Sequence, residues 1–105
     1  MGQSSNRGAR AWAVIGNTWD GYASPTLING YGISSVSTTS RGARVDFSTA
    51  QPNANYAAIC TGHRNDQSDA VVTTYARTTT YFLVDIFNTG SGLFPFSFQC
   101  VVFGN

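Results

Sequence analysis

Short apolar stretches recur along the chain about every ten residues, and Gly, Asn, Ser, Asp and Pro separate them. No stretch shows convincing helical periodicity, whereas this spacing is typical of a sandwich or barrel. We therefore predict an all-β chain, an antiparallel β-sandwich of about seven or eight strands. The predicted strands cover residues 9–15, 26–36, 43–47, 56–60, 70–77, 80–87 and 94–103.

Alternation within these strands indicates which side chains face the core. Val45 and Phe47 alternate with polar residues, so we expect both inside. Trp12 shares a strand face with Val14, and we expect it in the core or in a subunit interface. Two glycines interrupt the apolar stretch 26–36, which indicates a bulge, a bend or a close backbone approach.

The strand predicted at residues 80–87 is apolar on both faces, with Asp85 as the interruption. The last strand shows the same tendency more weakly. An antiparallel sheet in a lone monomer normally wets one face, so this pattern favours an obligate oligomer with closed symmetry. The alternative is a thick sandwich whose large aromatics fill one core. The candidates for these interface or core positions are Trp12, Tyr81, Leu83, Phe87 and Phe103.

Composition fits one small domain and excludes several partners. The chain has 105 residues, enough for a single core, and we place the domain at residues 9–105 after a polar lead-in or tag remnant at 1–8. All six basic residues are Arg and all five acidic ones are Asp, for a net charge of +1. Such a chain lacks the positively charged surface that nucleic-acid binding requires. No apolar run is long enough for membrane insertion, and no signal peptide is expected.

The two cysteines, Cys60 and Cys100, do not form a metal or redox motif. Strand phasing groups Cys60 with Ala58 and Cys100 with Val102. This placement favours two buried thiols that behave as small apolar residues, and a mutual disulfide is the alternative.

Enzymatic chemistry is not expected, because the chain has one histidine, no glutamate and no lysine. Asp66 and Asp69 share one loop, whereas a glycosidase needs carboxyl groups that face each other across a cleft. A triad would have to use His63, without any nucleophile-elbow motif. His63 copies meeting on a three-fold axis could bind a metal, but we favour an ordinary loop histidine. We therefore assign no catalytic residue, metal site or cofactor.

Binding candidates are polar and aromatic residues in two predicted loops. Sugar rings stack on aromatic faces while Asp, Asn and Arg bind hydroxyl groups. The alternative for the aromatic members is packing over the end of the sandwich. The ligand-binding candidates are Trp19, Asp20 and Tyr22 in the first loop, and His63, Arg64, Asn65 and Asp66 in the second.

Four segments together resemble a known family. They read ARAWAVIG at 9–16, YGISSV at 31–36, ARVDFSTAQPNANY at 43–56 and VVFG at 101–104. They are similar to the C-terminal domain of phage tail fibre and related virion receptor-binding proteins. That family's pattern has a YNVSSV-like segment, a DYTVNFTTAMPDANY-like segment and a terminal VxVFG. Gly32 and Gln51 depart from it, since the family has Asn at the first position and often Met or Leu at the second.

The resemblance implies a homotrimeric, non-enzymatic knob at the tip of a fibre, made in the host cytoplasm and located in the virion. Its partners would be its own copies, the rest of the fibre and a host-surface glycan or protein. The reducing bacterial cytoplasm would also favour free thiols. Two other functions stay open, a purely structural domain that trimerises or caps a virion fibre and a small oligomeric lectin.

Overall fold

The computed structural model describes residues 9–17, 25–63, 70–88 and 97–104, which form antiparallel strands and no helix. The all-β prediction is confirmed. None of these residues belongs to a helix of the length and apolarity that crossing a membrane requires. The strands are β1 (Ala11–Asn17), β2 (Pro25–Tyr31), β3 (Ile33–Thr38), β4 (Gly42–Phe47), β5 (Ala57–His63), β6 (Ala70–Arg77), β7 (Tyr81–Asn88) and β8 (Ser97–Phe103).

The eight described strands form two four-stranded sheets that pack face to face. The first sheet has the order β2-β1-β8-β5, and the second has the order β3-β4-β7-β6. Alternate residues of each strand point into the space between the sheets. The largest fully buried side chains there are Phe82, Phe98, Ile15, Val45, Val84, Val102 and Cys100. This architecture agrees with the predicted β-sandwich.

The chain crosses from the first sheet to the second at Gly32. Its φ of 75° lies in the left-handed region that a residue with a Cβ adopts only at a cost. A Cβ there would also lie 3.1 Å from the Cβ of Ala11. The single strand predicted at residues 26–36 is therefore wrong, because the apolar stretch supplies two strands in different sheets. The predicted bend at a glycine is confirmed.

The side chains predicted to face the core do so in β4. For Trp12, the prediction left open whether it lies in the core or in a subunit interface. Val45 is fully buried and Phe47 is buried, as expected. In β1 the buried residues are Ala11, Ala13 and Ile15, so Trp12 points to the opposite, outer face, where it is half-buried. The core position for Trp12 is thereby excluded.

Three aromatic rings and one hydroxyl close one end of the core. The ring centroid of Phe47 lies 5.2 Å from that of Tyr56 and 5.7 Å from that of Phe82, which are favourable distances for edge and tilted contacts. The hydroxyl of Tyr56 donates to the backbone oxygens of Thr78, at 2.7 Å, and Tyr81, at 3.1 Å. Burial raises the pKa of Tyr56, because the charged phenolate loses its hydration.

The two cysteines form a disulfide, so the favoured prediction of free thiols is wrong. Cys60 of β5 pairs directly with Cys100 of β8, and both side chains point into the core. Their Cα atoms are 4.1 Å apart, which brings the sulfur atoms together. Phasing alone placed both residues inside but could not show that the strand register sets them opposite each other.

The two ends of the sandwich differ in what they carry. β1 and β5 both run antiparallel to β8, and Ile15 and Gly62 flank the same residue, Phe98. The last residues of β1 and β5 and the first residues of β8 therefore lie at one end, which we call the loop end. Ala9, the Gly32 crossing and Gly104 lie at the other end, which we call the entry end.

Candidate functional site

The predicted ligand-binding residues extend from strand ends that the fold brings together. Trp19, Asp20, Tyr22, Arg64, Asn65 and Asp66 lie outside the described residues, as does the side chain of His63. The strands that lead to both segments, β1 and β5, end at the loop end with β8 between them. Two strand spacings, about 10 Å, separate these strands. The topology thus starts both candidate segments from the same end of one sheet.

The outer face of the second sheet is covered by the chain's own arginines. The guanidinium carbon of Arg44 lies 3.8 Å from the ring centroid of Tyr81, a cation–π distance. Arg44 also pairs in register with Leu83, and both Tyr81 and Leu83 are half-buried. The side chain of Phe87 lies outside the described residues. The apolar second face of β7, from which we predicted an interface, therefore has intrachain cover over Tyr81.

Asp85 is covered on the same face. It is 4% exposed and accepts a hydrogen bond from Arg41, whose guanidinium carbon lies 4.1 Å from the ring centroid of Tyr75. The hydrogen bond to Asp85 raises the pKa of Arg41, because it stabilises the charged guanidinium. Arg44 forms a second ion pair with Asp46 at 3.0 Å. This face is therefore satisfied within one chain.

The outer face of the first sheet is largely apolar, and the described part of the chain leaves much of it exposed. Four side chains lie side by side across its strands, because Tyr31 pairs with Trp12, Trp12 with Val101 and Val101 with Ile59. Tyr31 is 63% exposed and Ile59 is 54% exposed. We call the following set the apolar face: Trp12, Val14, Tyr31, Ile59, Val101 and Phe103.

A polar row borders the apolar face toward the loop end. Asn29 and Gln99 flank Val14 in register, and Thr61 follows beyond Gln99. The amide nitrogen of Gln99 donates to the hydroxyl of Thr61 at 2.6 Å. The six residues of the apolar face therefore include no charged side chain. Along β8 and β5 the apolar face ends at hydrogen-bonded amide and hydroxyl groups, whereas on β2 the exposed Ile28 continues the apolar surface beside Gly16.

Part of this surface was predicted from the sequence. Trp12 and Phe103 were named as interface or core candidates, whereas Tyr31, Ile59 and Val101 were missed. Ile59 could have been found from the alternation in its strand, since it faces away from Ala58 and Cys60. Tyr31 could not, because the predicted strand continued through the crossing at Gly32.

Within the described ranges, His, Cys, Asp and Glu side chains do not gather in groups of three that could hold a metal ion. On the outer face of the second sheet, Arg41, Arg44, Asp46 and Asp85 are instead engaged in ion pairs and aromatic contacts. No protein-family model matches the chain, and searches of curated proteins and of solved structures give no match. Among the described residues, the exposed apolar face is therefore the main candidate for a functional surface.

Proposed function

We propose that this chain is a non-enzymatic, homotrimeric knob at the tip of a phage tail fibre, where it binds a host-surface glycan or protein. The observation that supports the assembly is the apolar face. Antiparallel sheets of monomers usually present polar side chains on one face, and contiguous exposed apolar patches mark interaction sites. Tyr31 and Ile59 are more than half exposed at opposite edges of the same four-stranded row.

Further copies of the same chain are the occupants that this surface suits. The apolar face carries no charge, so two such faces can meet without burying an unpaired ion. The described part of the second sheet offers no comparable surface, because its exposed large apolar side chain is Tyr75, at 41%, and Arg41 lies against that ring. Three-fold symmetry comes from the resemblance to tail fibre domains.

Gly32 departs from the family pattern, but its backbone conformation is one that the family's residue at this position can also adopt. The family has Asn where this chain has Gly32, whose φ is 75°. Glycine and asparagine are the residues that most readily adopt left-handed backbone. A crossing between sheets at this position would therefore tolerate either residue.

The two ends of the sandwich suggest how the knob would be oriented. Ala9 lies at the entry end, whereas β1 and β5 lead toward the loop end. With the rest of the fibre attached at the entry end, residues 18–24 and 64–69 would extend from the distal end. We propose that these segments recognise the host.

Light scattering after size-exclusion chromatography tests the assembly. We expect a molar mass of about 34 kDa, three times the 11.2 kDa of one chain. The Ile59→Asp variant should become a folded monomer, because it would bury a carboxylate in the interface. Thr61→Asp is the matched control on the same strand and the same outer side, and it should remain trimeric. A monomeric wild-type chain would overturn the proposal.

Binding to bacterial cells and to an array of bacterial surface glycans tests attachment. We expect the trimer to be retained by some strains or glycans. Replacing residues 64–69 with a Gly-Ser segment should abolish this retention and leave the molar mass unchanged. A trimer that no strain and no glycan retains would instead indicate a structural domain that caps or trimerises the fibre.

A further inference from the structure

A cleft lies at the entry end, between the start of β1, the Gly32 crossing and the connection from β4 to β5. Its volume is about 340 Å³, within the range of about 300 to 1,000 Å³ that is usual for small-molecule sites. The residues that line it are Ala9, Arg10, Tyr31, Thr49, Ala50, Gln51 and Pro52. Backbone hydrogen bonds fix two walls of the cleft. The amide nitrogen of Arg10 donates to the carbonyl oxygen of Val102 and that of Gln51 donates to the carbonyl oxygen of Thr79, each at 2.7 Å.

Gln51 contributes a hydrogen-bond acceptor that no described residue uses. The side-chain oxygen of Gln51 is buried and has no hydrogen-bond partner among the described residues. Leaving such a group unpaired costs free energy, and native structures contain few of them. Gln51 lines the cleft, so a rotation of its side chain would present this oxygen to an O–H or N–H donor supplied by a ligand.

Arg10 contributes an unused cation. The carboxylates of the described residues belong to Asp46 and Asp85, which pair with Arg44 and Arg41. No ion pair or side-chain hydrogen bond involves Arg10 in that part of the chain. A guanidinium group binds a carboxylate through two parallel hydrogen bonds. The cleft therefore combines a carboxylate-binding group with an acceptor for a hydroxyl.

Tyr31 contributes an aromatic surface. Its side chain is 63% exposed, and the Thr49 hydroxyl lines the same cleft. A ligand that carries a carboxylate, several hydroxyls and an apolar ring face matches all of these groups. We propose that the cleft binds an acidic sugar unit, with its carboxylate on Arg10, a hydroxyl on the Gln51 oxygen and its ring against Tyr31.

This inference does not rest on the proposed phage function. The cleft lies at the entry end, away from the strand ends that lead to residues 18–24 and 64–69. Tyr31 belongs to both the cleft and the apolar face, but Ile59 lies on the opposite edge strand of the sheet. Because assembly through the apolar face would also engage the ring of Tyr31, the Ile59→Asp monomer should bind the sugar at least as tightly as the wild type.

Titration of the labelled full chain with D-glucuronate, followed by amide NMR shifts, tests the proposal. We expect saturable shifts at Arg10, Tyr31, Thr49 and Gln51, with a dissociation constant of about 1 mM, as is usual for a ligand of this size. Two comparison ligands separate the contributions. Methyl glucoside lacks the carboxylate and cyclohexanecarboxylate lacks the hydroxyls, so each should bind about tenfold more weakly.

Two variants and one control locate the site. Arg10→Ala and Gln51→Met should each weaken glucuronate binding about tenfold. Arg77→Ala is the matched control, because it removes an exposed arginine at the entry end that does not line the cleft. An absence of saturable shifts would overturn the proposal. Equal effects of Arg10→Ala and Arg77→Ala, or equal affinity for cyclohexanecarboxylate, would also overturn it.

Discussion

The hydroxyl of Tyr56 joins the connection before β5 to the turn between β6 and β7. It donates to the backbone oxygens of Thr78 and Tyr81, and the side chain is 2% exposed. We expect Tyr56→Phe to lower the free energy of unfolding by about 1 to 2 kcal/mol, measured by urea denaturation. Tyr75→Phe is the control, because that hydroxyl has no hydrogen bond in the described structure and the ring contact with Arg41 would persist.

The raised pKa of Tyr56 predicts a loss of stability at alkaline pH. The folded state holds the phenol proton more tightly than the unfolded state, whose pKa is about 10. The stabilising contribution is therefore complete below that pH and is lost as pH rises through the folded pKa. Thermal unfolding of wild type and Tyr56→Phe between pH 8 and about 11 measures this. Parallel alkaline losses in the two proteins would contradict the assignment.

The two ion pairs of the second sheet should contribute unequally to the stability of the folded chain. Asp85 is buried under Arg41, whereas the side chain of Asp46 is 23% exposed. Arg41→Met leaves a buried carboxylate unpaired, so it should lower the urea midpoint more than Arg44→Met does. The double variant Arg41→Met/Asp85→Leu should recover part of the loss, because no buried charge remains. A double variant as unstable as Arg41→Met alone would contradict this explanation.

These residue-scale contacts were only partly predictable from the sequence. Alternation indicated that Val45 and Phe47 are buried, because the period of a strand is a local property. It could not show that Arg41, which lies between two predicted strands, reaches Asp85, since their sequence separation is 44 residues. The cover that arginine gives to β7 depends on strand register, which no local pattern specifies.

At the scale of elements, the disulfide between β5 and β8 should contribute a large part of the free energy of unfolding. It closes a sequence separation of 40 residues, for which the loss of unfolded-state entropy is about 4 kcal/mol. We expect reductant to lower the free energy of unfolding of the wild type by about this amount. The Cys60→Ala/Cys100→Ala variant should not respond to reductant. Two titratable thiols in the unreduced, unfolded protein would contradict the bond.

The order of strands in the sheets could not be predicted from the sequence pattern either. Six of the eight strands were recognised as separate apolar stretches, apart from shifts at their ends, and β2 and β3 were merged into one. The exception is the stretch 26–36, where Gly32 turns the chain into the other sheet. Apolar residues continue on both sides of this glycine, so periodicity shows no boundary. Only a backbone conformation reserved for glycine and asparagine marks the crossing.

At the scale of the whole molecule, the outer faces of the two sheets differ in chemistry. Arginine and aspartate side chains complete the second sheet, and the described part of the first sheet leaves tyrosine, isoleucine and phenylalanine exposed. Oligomerisation was predicted chiefly from β7, in the second sheet, with weaker support from β8, in the first sheet. The structure moves the physical basis of that proposal to the first sheet, where Trp12 and Phe103 lie beside residues that the sequence analysis missed.

A trimer held through the apolar face should unfold at a temperature that depends on protein concentration. When dissociation accompanies reversible unfolding, each tenfold increase in concentration stabilises a chain of the trimer by about 0.9 kcal/mol, two thirds of RT ln 10. For a domain of this size that corresponds to about 3 to 7 °C in Tm. Scanning calorimetry over a hundredfold dilution series measures the shift. Ile59→Asp should give a Tm independent of concentration, whereas Thr61→Asp should behave as the wild type does. A concentration-independent Tm in the wild type would contradict coupling between folding and assembly.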